Sequence, residues 1–510
     1  MHNKIVYCYT VKLILINLIL KYLKTYLTNN SLKFPKITIA MVLLVNIILI
    51  YGMKHIVQDD DMVKLLPKDI KSIITFNDIR EEFGNSEFMY IALGNQGSNA
   101  INPELLKIVW EISESLEDYE PIEEVISIAT ASKIYFGHLD SSIIVDNLMP
   151  QKNINSAQLD SIVLYLNNNI ELKSNTVSKN EDYLNIVIRP RENNRYADIT
   201  YFMHNLTDKF KSYNYNNEII ELDYHYGGQA YVTGATPALV ASEVKILILC
   251  GLFLMCLILL INFRNISAVS IIISIISLSL LGMLGFMGWI YHFTKSDIFY
   301  FTLNHTSMPI VLLTIANSDG VHIVGRFFKE LRRLKNKDYA IKETMDHLTL
   351  PITLTSITTS LAFLTLVFSP LTGMNGYGMV LAFGICWAWF LSLTLMPAII
   401  SLVKWKINST AINRKSLLEK LIDKFGIIVI KNPKKILYPS ILFLFISIVG
   451  ITLINVEVNY IKMFKKGNII RDSAIFLDNN MTGNLNLMVN IEADKEGALK
   501  EPENLKKIES

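Results

Sequence analysis

The sequence has few cysteines and little net charge, and each shortage excludes a kind of site or partner. It has four cysteines in 510 residues; three of them, Cys250, Cys256 and Cys386, lie in apolar runs, and the polar segment 54–241 contains none. A disulfide framework is therefore excluded from that segment, and no pair of cysteines has the spacing of a structural zinc site. The net charge is only +2, so no basic field favours nucleic acid as a partner.

Motifs of catalysis are missing as well. Segment 54–241 shows no nucleophile–base pair, no HExxH sequence, no glycine-rich phosphate loop and no paired carboxylates in a convincing context. We therefore expect a protein that is not an enzyme and that binds neither a cofactor nor a metal ion.

Long hydrophobic runs are what the sequence has instead. Hydrophobic residues make up 51% of it and charged residues 18%, with a mean hydropathy of +0.33. A membrane span needs about 20 mainly apolar residues. Seven segments are predicted to be spans: 36–53, 245–262, 268–290, 308–325, 351–369, 378–403 and 436–455. Residues 5–27 are interrupted by lysines, which favours an interfacial amphipathic helix over an eighth span.

Basic residues between the spans predict the orientation. Loop 326–350 carries seven Lys or Arg and linker 404–435 carries nine, whereas 291–307 has one and 370–377 has none. Basic loops stay in the cytoplasm. We therefore expect a multi-pass protein of the plasma (inner) membrane with residues 54–241 outside the cytoplasm.

The same patterns divide the chain into domains. The predicted segments are a cytoplasmic or interfacial 1–35, the first span 36–53, an extracytoplasmic domain 54–241, a five-span bundle 242–403, a cytoplasmic linker 404–435, the seventh span 436–455, and 456–510. In 54–241, strands at 86–93, 122–130 and 182–190 alternate with helices at 102–119 and 195–213. This alternation predicts an α+β sandwich with helices on one face of a small sheet.

The end of the chain repeats its beginning. Gly84, Pro103 and Glu104 have counterparts in Gly483, Pro502 and Glu503, all at an offset of 399 residues. The repeat predicts that 456–510 begins a second extracytoplasmic domain, as in transporters built from two halves. One strand and half a helix cannot bury a core. We therefore expect this stretch to lack a packing partner and the chain to be a fragment or a truncated half.

The fourth span contains two residues that are costly in lipid. Asp319 and His322 lie one helical turn apart in "TIANSDGVHIVGRF" (314–327), and a charged side chain at the bilayer centre costs about 2.5–3.5 kcal/mol on insertion scales. Intramembrane acids mark ion pathways, so we predict that Asp319 and His322 form a proton relay. The alternative is a structural aspartate bonded to a neighbouring helix. Gly320 would let another helix approach the pair closely.

The fifth span is rich in hydroxyl groups. Thr355, Ser356, Thr358, Thr359 and Ser360 place them on several faces of the predicted helix. Thr355, Thr358 and Thr359 are candidates for the relay or for helix packing. Their other interpretation is a hydrogen bond to their own backbone, as is common for Ser and Thr in membrane helices.

Four blocks together resemble a known family. They are "DMVKLLPKD" (61–69), "SDGVH" (318–322), "PITLTSITTSLAFLTLVFSP" (351–370) and "GYGMVLAFGICWAWFLSLTLMPAII" (376–400). The chain resembles, over roughly residues 36–510, the resistance–nodulation–cell division (RND) superfamily in its MMPL-type branch, whose members have a sterol-sensing-like membrane domain. The resemblance implies RND transporter architecture: twelve spans in two halves with two porter-like domains. It also implies proton-driven export of lipids or other hydrophobic compounds.

Only seven spans are present here, so the resemblance implies an oligomer or a second half supplied elsewhere. Three other functions are alternatives to the exporter. They are a non-transporting lipid or sterol sensor with the same fold, an accessory of protein secretion, and an intramembrane aspartyl protease, which would need a second intramembrane aspartate that this chain lacks.

Overall fold

The computed structural model divides the chain into two units. It describes residues 24–58, 66–67, 69–84, 86–136, 143–191, 196–406, 417–455, 459–485, 489–491, 495 and 497–509. One unit, here called the membrane domain, comprises residues 1–67 and 238–456; the other, the polar domain, comprises 68–237 and 457–510. Most of the predicted interfacial segment 5–27 lies outside the described residues.

The described residues form seventeen α-helices. They are α1 (Asn30–Lys33), α2 (Pro35–Tyr51), α3 (Lys71–Phe83), α4 (Pro103–Glu117), α5 (Ser156–Asn168), α6 (Ile170–Thr176), α7 (Tyr196–Thr207), α8 (Gln229–Phe263), α9 (Ile266–Thr294), α10 (Met308–Leu334), α11 (Lys337–Leu364), α12 (Met374–Leu402), α13 (Leu417–Lys431), α14 (Pro433–Ile451), α15 (Tyr460–Met463), α16 (Ile469–Asn480) and α17 (Pro502–Glu509).

The strands found among the described residues all belong to the polar domain. They are β1 (Met89–Gly94), β2 (Ile122–Ile126), β3 (Ser132–Phe136), β4 (Ile143–Asn147), β5 (Tyr183–Pro190), β6 (Ser212–Tyr215), β7 (Glu218–Glu221) and β8 (Asp223–Gly227). An antiparallel four-stranded sheet has the order β2-β5-β1-β8, and β3–β4 and β6–β7 form separate two-stranded sheets.

Seven helices of the described residues are long and apolar enough to cross a membrane. Each predicted span coincides with one of them, from Pro35–His55 to Pro433–Ile451, although the spans predicted at 351–369, 378–403 and 436–455 run one to four residues past the helix ends at Phe368, Leu402 and Ile451. Helix α14 has no buried residue, and its side chains are apolar on every side, as expected of a helix whose surroundings are lipid.

Small residues let the membrane helices approach each other closely. A Cβ added to Gly285 of α9 would lie 1.9 Å from the Leu49 carbonyl oxygen, and one on Gly288 would lie 1.9 Å from that of Gly52. Helix α9 therefore contacts the first span backbone to backbone, the packing that small residues allow in membranes. The indole nitrogen of Trp289 closes this contact by donating to the Ile48 carbonyl, at 2.8 Å.

The central strands of the polar domain are covered on both faces. All six residues of β1 are buried, which explains its nearly continuous apolar sequence. On one face, the Thr207 hydroxyl of α7 bonds the Tyr226 hydroxyl of β8 at 2.7 Å. Helix α4 begins where its sequence predicts, because Asn102 accepts a hydrogen bond from the Leu105 amide and Pro103 occupies the first turn.

The second predicted helix of this domain, 195–213, is too long. Helix α7 ends at Thr207, and Ser212 begins strand β6. The hairpin β6–β7 turns at Asn216 and Asn217, which have φ of 51° and 65°. Two consecutive residues with positive φ are what a tight hairpin turn requires, and asparagine tolerates that conformation. The tight turn, rather than the helical periodicity, therefore sets the structure of 208–221.

The end of the chain departs from its prediction. Helix α16, from the end of the chain, packs on the sheet face opposite α7, where Leu477 and Met481 contact Tyr90, Ala92 and Tyr183. A helix from outside the predicted domain 54–241 thus covers the second face of the sheet. Residues 456–510 also have a packing partner, because α16 buries its apolar side against the first domain. The expected strand is not found in the described residues of 482–491.

Candidate functional site

The polar residues of the fourth and fifth spans meet around one cavity. Helix α10 carries Asp319 and His322, and helix α11 follows it after a two-residue turn. The cavity has a volume of about 490 Å³ and is lined by Ile315, Ser318, Asp319, His322, Leu348, Pro351, Ile352, Thr355, Ser356 and Thr359. Pro351 lies inside α11, and since proline has no amide hydrogen it leaves a backbone carbonyl of that helix without its usual donor.

Asp319 is the buried acid of this cavity. Its side chain is 8% exposed, and the hydroxyl of Ser356 on α11 lies beside its carboxylate in the lining of the cavity. Ser356 is itself 5% exposed. A serine hydroxyl can donate to an ionised carboxylate or accept from a protonated one. The pair can therefore satisfy Asp319 in both of its protonation states.

His322 shares the cavity with Asp319 but is exposed. Within the described part of the chain its ring makes no hydrogen bond or ion pair. The spacing of three residues does place the two side chains on one face of α10, as predicted. Direct bonding between them is not seen, so a relay through His322 requires water in the cavity.

The three threonines named from the sequence bond to their own helix. The hydroxyls of Thr355 and Thr359 donate to the carbonyls of Pro351 and Thr355, at 3.1 and 2.7 Å, and that of Thr358 donates to Leu354 at 2.8 Å. Thr355 and Thr359 line the cavity and Thr358 does not. Their role in a relay stays a prediction.

Gly320 lies against the third span. A Cβ at this position would meet the side chain of Ile272 on α9 at 3.0 Å. A larger residue would therefore push α10 away from α9, which agrees with the predicted role in close helix approach. The helix that Gly320 accommodates is α9, whereas α11 supplies the hydroxyls around Asp319.

Charged residues continue the polar stripe of α10 beyond His322. Glu330 is 3% exposed and forms ion pairs with Arg326 at 3.0 Å and Arg333 at 2.7 Å. Arg333 also reaches Glu343 of α11, at 3.4 Å. The helical period places residues 319, 322, 326, 330 and 333 along one side of α10. The stripe therefore joins the buried acid to the basic loop that is predicted to be cytoplasmic.

Sequence reasoning missed several buried polar groups near the bundle core. Asn46 of α2 is fully buried and accepts a hydrogen bond from the indole nitrogen of Trp387 at 3.3 Å. His305 is fully buried just before α10, with Nδ1 2.8 Å from the Thr302 hydroxyl. Ser356 was visible in the sequence only as one of five Ser and Thr residues in the fifth span. In each case the residue type was visible, but its neighbour on another helix was not.

Comparison with known proteins identifies the family. The model of the MMPL family matches residues 64–434. The chain is also similar to a protein of Methanocaldococcus jannaschii whose name describes it as a membrane protein, with 23% identity over 382 residues, or 72% of this chain and 90% of the relative. The resemblance drawn from the four sequence blocks is thereby confirmed, and so is a location in the membrane with several spans. This chain belongs to the MMPL family.

Proposed function

We propose that this protein is a proton-coupled exporter of lipids or other hydrophobic compounds and that it is not an enzyme. Membership of the MMPL family supports a transporter-like function in the membrane. The observation that carries the proton coupling is the buried carboxylate of Asp319, which faces a cavity between two membrane helices and lies beside Ser356.

A buried carboxylate can couple proton movement to helix movement. Removing an ion from water costs several kcal/mol in a protein interior, so each protonation change at Asp319 alters the energy of its surroundings substantially. Ser356 connects that change directly to α11. Two arrangements of α10 and α11 that differ in their contact with Asp319 would then be populated according to its charge.

His322 has a supporting role in this proposal. It lies on the same face as Asp319, one turn nearer to the loop that is predicted to be cytoplasmic, and it lines the same cavity. An imidazole can gain or lose a proton near neutral pH. Protons would therefore pass between Asp319 and the stripe of Arg326 and Glu330 by way of His322 and water.

The experiment uses the full chain, with any partner it requires, in proteoliposomes under an imposed pH gradient. A tail-labelled fluorescent phospholipid and a hydrophobic dye are the cargo probes. Asp319→Asn keeps the shape and can still bond Ser356, but it cannot ionise. It should abolish gradient-driven movement of the probe that the wild type transports. Thr314→Val removes a hydroxyl of α10 that bonds its own helix and does not line the cavity; it is the control and should transport normally.

Transport by Asp319→Asn at the wild-type rate would contradict the coupling. A lipid sensor with the same fold would be favoured instead if neither probe moved in the wild type while lipid binding persisted in both the wild type and Asp319→Asn.

A further inference from the structure

A second cavity lies in the polar domain, at one end of the four-stranded sheet. Strand β1 ends there at Gly94, which pairs with Tyr183 at the start of β5 and with Asp223 at the start of β8. Helix α16 crosses the same end and contributes Phe476. The cavity has a volume of about 470 Å³, which is in the range of roughly 300–1,000 Å³ typical of small-molecule sites.

Three aromatic rings form one wall of this cavity. The ring of His225 stacks on that of Phe476, with centroids 3.7 Å apart and an interplanar angle of 12°. The ring of Tyr183 meets Phe476 edge-on at 4.6 Å and lies 5.5 Å from His225. Burial lowers the pKa of His225, although Asp223 partly opposes this. The imidazole is therefore neutral at neutral pH and adds no positive charge to the wall.

Two carboxylates give the cavity a negative potential. Asp182 and Asp223 line it, and none of the described residues that line it is Lys or Arg. Asp182 is held in place by the Ser178 hydroxyl, which donates to Oδ1 at 2.7 Å. Burial raises the pKa of Tyr183 to about 12, with smaller contributions from Asp223 and Asp182. Both carboxylates therefore act on the same point of the cavity.

The nearest lysine along the chain is not part of the lining of the cavity. Lys179 directs its ammonium group at the carbonyl oxygen of Asn479, 2.8 Å away. Aromatic faces together with unneutralised carboxylates are the chemistry that recognises organic ammonium ions, because the faces attract a cation with apolar substituents. Two carboxylates are too few for the oxygen cage of a calcium ion.

We propose that the cavity formed by Asp182, Tyr183, Asp223, His225 and Phe476 binds an organic ammonium group, such as an amine or a quaternary ammonium headgroup. The ring faces contact the substituents of the nitrogen, and the two aspartates neutralise its charge. Binding of this kind requires neither proton coupling nor transport, so it stands or falls independently of the function proposed above.

Equilibrium dialysis of the purified full chain in an uncharged detergent tests the proposal. The probe is choline, and its control is the uncharged isostere 3,3-dimethylbutanol. Choline should bind saturably and at least roughly tenfold more tightly than the isostere, which corresponds to about 1.4 kcal/mol. Asp223→Asn keeps the shape of an exposed side chain and should weaken choline binding roughly tenfold.

Glu218→Gln is the matched control for the charge. Glu218 is an exposed carboxylate on β7 of the same domain and does not line the cavity, so this variant should bind choline as the wild type does. The proposal is overturned if choline shows no saturable binding, if the isostere binds equally well, or if Asp223→Asn and Glu218→Gln have the same effect.

Discussion

The docking of α16 on the sheet can be tested with one truncation. Leu477 is 1% exposed and packs between Tyr90, Ala92 and Tyr183. Its contact is close: a Cβ added to Gly227 would lie 2.2 Å from Leu477 Cδ1. The change Leu477→Ala removes most of this side chain from the interface. Truncation of a buried leucine costs about 2–5 kcal/mol.

The other contacts of α16 remain in this variant. Beside the apolar cluster, the Lys179 amide donates to the Asn480 carbonyl at 2.9 Å, and the Asn484 side chain accepts from the Gly228 amide at 2.8 Å. Each such bond contributes only about 0.5–1.5 kcal/mol net. A loss of about 3 kcal/mol in the docking of α16 should therefore raise its opening equilibrium roughly 100-fold, since 1.4 kcal/mol is a factor of ten.

Hydrogen exchange measured by mass spectrometry on the full chain reports this opening directly. Amides of 469–480 should exchange roughly 100-fold faster in Leu477→Ala, because exchange follows the local opening equilibrium. Ile475→Ala truncates a side chain of α16 that is 43% exposed and should change the rate little. Equal exchange of 469–480 in the wild type and Leu477→Ala would refute the docking of α16 on the sheet.

Three further predictions concern topology, pH and helix packing. A reporter that is active only outside the cytoplasm should work when fused after residue 150 and fail after residue 335, because loop 326–350 is basic; activity at 335 would reverse the orientation. Burial lowers the pKa of His204. As pH falls through about 6.5, the unfolded chain takes up a proton at His204 before the folded chain does, so the polar domain should lose stability in that range. The melting temperature of His204→Gln should therefore fall less steeply with decreasing pH than that of the wild type. An equally steep fall in both would contradict this. Gly285→Leu should lower the melting temperature of the detergent-solubilised chain sharply, because the Leu49 carbonyl oxygen lies 1.9 Å from the position of the added Cβ. Gly251→Leu is the control, since nothing lies within 4 Å of a Cβ there. Equal melting temperatures of the two variants would contradict the prediction.

The membrane helices and the acid of the candidate site could be predicted because their signals are local. A run of about 20 apolar residues has the length and composition of a membrane-spanning helix. A carboxylate in such a run is costly enough to demand a protein or aqueous environment, and Asp319 is indeed buried against a cavity. The helical period also placed His322 on the same face.

What could not be predicted depends on contacts between distant residues. The period of α11 shows which face each hydroxyl takes, but not that Ser356 is the one that meets Asp319 on α10. The repeat revealed that 456–510 resembles the first domain, but not that α16 would cover the sheet of that domain. The bond from Lys179 to Asn479 joins residues 300 positions apart, and no local pattern encodes such a contact.

The central claim is that Asp319 gains and loses a proton during the working cycle. Infrared difference spectroscopy of the reconstituted full chain, titrated from mildly acidic to mildly alkaline pH, observes the carbonyl stretch of a protonated carboxylic acid directly. The account predicts that a protonated-acid band disappears as pH rises in the wild type and that this band is missing from Asp319→Asn. A wild-type spectrum with no such band, or the same band in Asp319→Asn, would contradict it.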